Sequence, residues 1–86
     1  MLITKIDVFN KLQQYLNHNI TLFHLVDWAE IAMMDSDFAE SDFEIIRDIV
    51  SRLGVADVRA FGLTWEDCES IVNTLGYKVK LDFEYV

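Results

Sequence analysis

The run from Asp35 to Asp42 is the densest group of metal-ligating side chains in the chain, with four acids in eight residues. An EF-hand calcium loop needs oxygen ligands at positions 1, 3 and 5, glycine at position 6 and a bidentate glutamate at position 12. Counted from Asp35, positions 5, 6 and 12 hold alanine, glutamate and isoleucine. We therefore predict a solvated loop between two helices, with no calcium site.

The remaining residues that could support chemistry are His18, His24 and Cys68. His24 and Asp27 are three residues apart and would share one face of a helix. A catalytic zinc needs three protein ligands, however, and no third ligand follows at a suitable spacing. The acids on either side of Cys68 disfavour a thiolate, and its place on an apolar stripe predicts core packing.

These patterns predict that the protein is not an enzyme and holds no metal or cofactor, because no motif completes a catalytic or ligand site. A glycine-rich phosphate loop and a nucleophile elbow are also lacking. With a single cysteine, a disulfide within the chain is impossible.

The charge is concentrated in one segment. The formal net charge is −8, and residues 27–48 hold eight acids against Arg47, which gives this segment −7. Such a surface repels phosphate, so we expect no direct nucleic-acid binding. It would attract a basic protein and accelerate the encounter.

We accordingly predict a protein-binding face in the acidic segment, although a charge run is also typical of ordinary solvated surface. Trp28 belongs to this face if it is not covered within the chain, and otherwise to the core. The predicted contact residues are Asp27, Trp28, Glu30, Asp35, Asp37, Glu40 and Asp42.

Four helices are predicted to position these residues. Their approximate spans are 4–17, 22–34, from Ser41 to Gly54, and 65–75, with Thr4, Thr21, Ser41 and Thr64 as N-caps. The third helix begins with a Ser41–Glu44 capping box, and Gly54 is expected to end it in the left-handed region. The expected apolar stripes are Ile6, Phe9, Leu12 or Gln13, and Leu16; Leu22, Leu25, Val26, Ala29 and Met33; Phe43, Ile46, Ile49, Val50 and Leu53; and Cys68, Ile71, Val72 and Leu75.

From Tyr77 onward the apolar period changes to two, which predicts a half-buried C-terminal strand. This strand needs a partner for its backbone groups, either a short strand near 56–61 or the same strand of a second copy, which would form a homodimer. The sequence therefore predicts one mainly α (α+β) domain over residues 1–86, a compact four-helix arrangement with a C-terminal β-strand.

The expected setting is the cytoplasm of a bacterium. No apolar run approaches the ~20 residues that a membrane helix needs. The acid at Asp7 comes too early for a secretory leader. We therefore expect a soluble protein that makes no membrane contact.

The pattern over most of the chain resembles the small acidic immunity proteins that protect bacteria from toxins. The residues that carry the likeness are Asn19–Thr21, Val26–Glu30, the acidic run Asp35–Asp42 and the closing Leu75–Val79. The resemblance implies a non-enzymatic toxin inhibitor that binds one-to-one. The alternatives are a homo-oligomeric structural subunit and a helical domain that binds a small molecule between its helices.

Overall fold

The computed structural model describes residues 2–58 and 62–78. In chain order the elements are β1 (Leu2–Ile3), α1 (Lys5–Leu16), α2 (Leu22–Asp35), β2 (Asp37–Phe38), a 3-10 turn (Glu40–Asp42), α3 (Phe43–Leu53) and α4 (Trp65–Thr74). The prediction of a mainly helical α+β fold with four helices is confirmed over this part of the chain. The predicted C-terminal strand begins at Tyr77, and its residues from 79 onward lie outside the described part of the chain.

Helices α1 and α4 begin in the same way, at threonines that form capping boxes. The Thr4 hydroxyl accepts from the Asp7 amide, and the Asp7 carboxylate accepts from the Thr4 amide. Thr64 and Asp67 repeat the arrangement at α4. Each box satisfies amides that would otherwise lack partners at a helix start, which explains why the helices begin at these positions.

The same two helices also end alike, in Schellman motifs. At α1 the amide of Asn19 donates to the Gln14 carbonyl, and His18 has a φ of 61°. At α4 the amide of Tyr77 donates to the Val72 carbonyl, and Gly76 has a φ of 92°. The predicted glycine ending of α4 is thus confirmed, whereas α1 uses a histidine where glycine is the usual residue.

The start of α3 differs from the prediction. Asp42 is its N-cap residue and makes no side-chain cap, while the Ser41 hydroxyl donates to the Asp42 carboxylate. The reason lies upstream, where β2 pairs in parallel with β1 and the Ala39 amide donates to the Ile3 carbonyl. The chain then tightens into the 3-10 turn, so Ser41 lacks the extended backbone that a capping serine needs.

The end of α3 is also different. Gly54 has helical angles (φ −66°, ψ −14°) and not left-handed ones. The chain continues through turns in which Ala56 donates to the Leu53 carbonyl and Val58 to the Val55 carbonyl. Residues 56–58 are therefore turn and not the start of the predicted partner strand, and residues 59–61 are outside the described part.

The core lies where α2 packs on α3, the most extensive helix contact in the described residues. A Cβ placed on Gly54 would lie 3.9 Å from the Ala29 Cβ, so small side chains bring the two helices close together at this end. The buried residues around this contact are Ile3, Val8, Leu12, Leu25, Ala29, Ala32, Ile46, Ile49, Val50, Leu53, Cys68, Ile71, Val72 and Leu75.

The predicted stripes of α3 and α4 are confirmed from Ile46 and from Cys68 onward, but three assignments elsewhere are wrong. On α1, Val8 is buried and Ile6 is exposed. On α2, Ala32 is buried and Met33 is exposed, with the Met33 sulfur at the edge of α3 beside the Ser51 hydroxyl. Phe43 is also exposed, and its ring lies against that of Phe38 with a centroid distance of 5.9 Å.

Candidate protein-binding site

The outward face of α2 carries both apolar and acidic side chains. Phe23, Asp27, Glu30 and Met34 follow one another at i, i+4, i+7 and i+11, which places them on one side of the helix. All four are exposed, and Phe23 and Met34 retain 73% and 79% of their accessible surface. The two acids therefore lie between two large exposed apolar groups. We call this set the α2 face.

The α2 face spans about 16 Å along the helix, at ~1.5 Å per residue. Ile31, which is also exposed, lies at its edge. Single exposed apolar residues are ordinary, but several on one helix face are typical of a contact surface. The helix needs none of them for its core packing, which uses Leu25, Val26, Ala29 and Ala32.

A shallow, open groove lies beside the C-terminal half of the α2 face, between α2 and the end of α3. It is lined by Glu30, Met33, Met34, Ser51, Gly54 and Val55. The Ser51 hydroxyl lies 3.5 Å from the Met33 sulfur and joins the two walls. The groove is therefore an apolar depression with one carboxylate on its wall.

Within residues 2–58 and 62–78, no base forms a salt bridge with a carboxylate of α2. In the described part of the chain, Asp27, Glu30 and Asp35 are exposed and take part in no salt bridge. Arg47 pairs instead with Asp48, and Arg52 with Asp67. The negative potential of this helix thus remains available to a partner.

The acids after α2 have a different environment. Asp37 is in β2, opposite Leu2 of β1, and Glu40 is exposed in the 3-10 turn. Asp42 is partly buried, and its carboxylate lies 3.6 Å from the Lys5 ammonium group. Of the predicted contact residues, Asp42 is therefore the one whose charge is already paired within the described residues.

Trp28 is half-buried and packs against the core. The Lys11 ammonium group lies 5.9 Å from the centre of its ring, at the distance of a cation–π contact. Trp28 therefore takes part in the packing of α1 on α2, and its role in a partner contact stays a prediction.

Phe23, Met33 and Met34 were not among the predicted contact residues. The signal was present in the sequence, because α2 has more apolar residues than one stripe can hold. The helical spacing predicts Met33 on the buried stripe of α2, whereas the structure exposes it. The second apolar face of this helix is likewise exposed.

The two histidines have no shared site. His18 adopts the left-handed conformation that ends α1, and His24 is exposed in the first turn of α2, where its amide donates to the Thr21 hydroxyl. Within residues 2–58 and 62–78 there is no group of three or more metal-ligating side chains.

Cys68 is buried in α4, and burial together with the nearby Asp67 carboxylate raises the pKa of its thiol. The pKa of Asp67 is lowered, first by the hydrogen bonds that it accepts from the Thr64 amide and hydroxyl, and further by Arg52. Both shifts arise from the structure of the α4 start and core, as expected for a thiol with a packing role.

The comparisons with known proteins identify no relative of this chain. No protein-family model, curated protein or solved structure matches it. In the described residues no helix is both long enough and apolar enough to cross a bilayer.

Proposed function

We propose that this protein is a non-enzymatic binding module that docks a basic protein on its acidic side, with the α2 face at the centre of the contact. The observation that carries the proposal is the placement of two exposed carboxylates, Asp27 and Glu30, between exposed Phe23 and Met34. Interfaces combine large apolar anchors with charged groups that select and orient the partner.

The two kinds of side chain contribute in different ways. Burying the apolar groups supplies most of the binding free energy, at about 25 cal/mol per Å² of apolar surface. The carboxylates steer a basic partner during the encounter and select against acidic ones. Asp35, Asp37 and Glu40, which follow in the chain and are also exposed, add to the negative field that attracts such a partner.

An inhibitor of a cationic toxin is the specific form that the resemblance to immunity proteins favours. In that form the module binds its target one-to-one and blocks it in the cytoplasm of the producing cell. The exposed carboxylates of α2 are consistent with such a role, since a nuclease surface that binds phosphate is itself basic.

The test compares two double variants with equal changes in charge. Asp27→Asn/Glu30→Gln neutralises the α2 face, and Glu66→Gln/Glu69→Gln neutralises two exposed acids of α4. A partner recovered by pull-down at low salt should bind the first variant at least about tenfold more weakly than the wild type, which corresponds to about 1.4 kcal/mol. It should bind the α4 variant nearly as well as the wild type.

Salt provides the second readout. Affinity for the wild type should fall as ionic strength rises, and this dependence should be weaker for the α2 variant. Equal losses in both variants would show that net charge alone retains the partner. Binding that is insensitive to both variants and to salt would rule out an acidic docking face.

A further inference from the structure

We propose that the groove between α2 and the end of α3 holds an apolar side chain from an amphipathic, lysine- or arginine-bearing helical segment of the partner. This inference rests on the proposed function and assigns the anchoring point within it. The groove is lined by Glu30, Met33, Met34, Ser51, Gly54 and Val55.

The lining is suited to an apolar anchor. Met33, Met34 and Val55 are 43%, 79% and 39% exposed, so they present apolar surface that nothing in the described residues covers. Methionine side chains are flexible and polarizable, which lets them adapt to the shape of an inserted group. Gly54 contributes no side chain, so the end of α3 leaves the groove open.

The charge around the groove specifies the flanking residues of the occupant. Glu30 is on the groove wall, and Asp27 lies about one turn away on the same helix. An occupant that inserts an apolar group must therefore bring a cation beside it. A helix satisfies both requirements, because residues three or four apart share a face.

The same charges disfavour a second copy of this chain as the occupant. A two-fold contact across this groove would bring together Asp27 and Glu30 of both copies. Among the described residues these acids have no salt-bridge partner that could offset the repulsion. A basic segment meets attraction at the same place.

The experiment uses the methyl signals of methionine, because two of the three methionines line the groove. The full chain is labelled with ¹³C at its methionine methyl groups, and Met33→Leu and Met34→Leu spectra assign the signals. The probe is a synthetic peptide of leucine and lysine with helical spacing. The control peptide has the same composition in strict alternation, which gives no apolar helix face.

We expect the helical peptide to shift the Met33 and Met34 signals saturably, and the alternating peptide to bind at least about tenfold more weakly. Met34→Gln/Val55→Thr replaces two lining groups by polar ones of similar size without changing charge. It should weaken binding at least about fivefold. Leu2→Thr/Ile6→Gln makes matching changes at two exposed positions outside the groove and should leave affinity within about twofold.

Three results would overturn the groove assignment. Either unchanged Met33 and Met34 signals in saturated complex or full affinity in the Met34→Gln/Val55→Thr variant would place the contact elsewhere. If Asp27→Asn/Glu30→Gln still abolished binding after either of these two results, the acidic docking face would stand and only the groove assignment would fail. Sedimentation showing a wild-type dimer that Met34→Gln/Val55→Thr dissociates would identify a second copy as the occupant.

Discussion

Helices α2 and α3 pack against each other but distribute their apolar residues differently. Helix α3 buries Ile46, Ile49, Val50 and Leu53, and from Arg47 onward its outer side is polar. Helix α2 buries a comparable stripe and also exposes Phe23, Ile31, Met33 and Met34. From Arg47 onward the outward side of α3 is what solubility alone would produce, although its first turn exposes Phe43 and Ile45. The outward side of α2 exposes more apolar surface than solubility favours, along its whole length.

This difference separates two reasons for an apolar residue to be present. The inner residues of both helices stabilise the fold by leaving water during folding. The outer apolar residues of α2 stay in water in the isolated chain, so they contribute little to folding. Their free energy of burial remains available for a partner, and the comparison therefore supports a binding role for α2.

The largest expected effect distinguishes the two sides of α2 directly. Leu25→Ala removes a fully buried side chain and should lower the free energy of unfolding by about 2–5 kcal/mol. Met34→Ala on the outer side should change it by less than about 0.5 kcal/mol. Urea unfolding followed by tryptophan fluorescence measures both.

A large loss for Met34→Ala would break the comparison, because it would mean that the α2 face takes part in folding. Leu53→Ala on α3 is the matched control for the buried side. It should lower the free energy of unfolding by an amount similar to Leu25→Ala, since both leucines are fully buried in the same core.

The second prediction contrasts two serine or threonine positions that look alike in the sequence. Thr64→Ala should cost about 1 kcal/mol, because it removes a capping hydrogen bond from the Asp67 amide. Ser41→Ala should cost much less, since the Ser41 hydroxyl donates to the Asp42 carboxylate in the described structure and caps no helix amide. Thermal unfolding of the two variants ranks the effects, and equal losses would contradict the observed start of α3.

These two positions also show what the sequence could predict. The N-caps at Thr4 and Thr64 and the buried run from Ile46 to Leu53 depend on local spacing, which a sequence displays directly. The misassigned box at Ser41 depends on β1 and β2, which bring residues 2–3 beside 37–38. Strands of two residues have no periodicity to detect, so their effect on the next helix could not be inferred.

The candidate site was predictable in its charge but not in its apolar part. Exposed acids such as Asp27 and Glu30 follow from the composition of the segment. Ala32 and Met33 both fit a helical stripe, so spacing alone does not decide which of them is buried. The groove was therefore invisible in the sequence, because it is created by the packing of two helices.

The third prediction concerns pH and the start of α4. The pKa of Asp67 is lower in the folded chain than its ordinary value of 3.8. Its charged form therefore adds stability above pH 3.8, and this contribution is lost as pH falls through the lower folded pKa. Asp67→Asn should be less stable than the wild type at neutral pH, and the gap should narrow in acid. A gap that stays constant down to acid pH would show that the Asp67 charge is not involved.

The smallest expected effect is also the most specific for the α2 face. Asp27 and Glu30 are three residues apart, so their like charges repel, at a cost of about 0.2–0.5 kcal/mol. Asp27→Asn/Glu30→Gln should therefore leave the free energy of unfolding unchanged or raise it by a few tenths of a kcal/mol. Urea unfolding at low ionic strength, where the repulsion is least screened, gives the best resolution.

The matched control is Asp42→Asn, which removes the contact with Lys5 and should lower stability by up to about 1 kcal/mol. If the two variants change the free energy of unfolding in opposite directions, α2 retains acids that its own folding does not need. A small loss of folding stability is expected where charged residues are retained for binding. If neutralising Asp27 and Glu30 destabilised the chain as much as Asp42→Asn, these acids would have a structural role, and the contrast between α2 and α3 would lose its functional meaning.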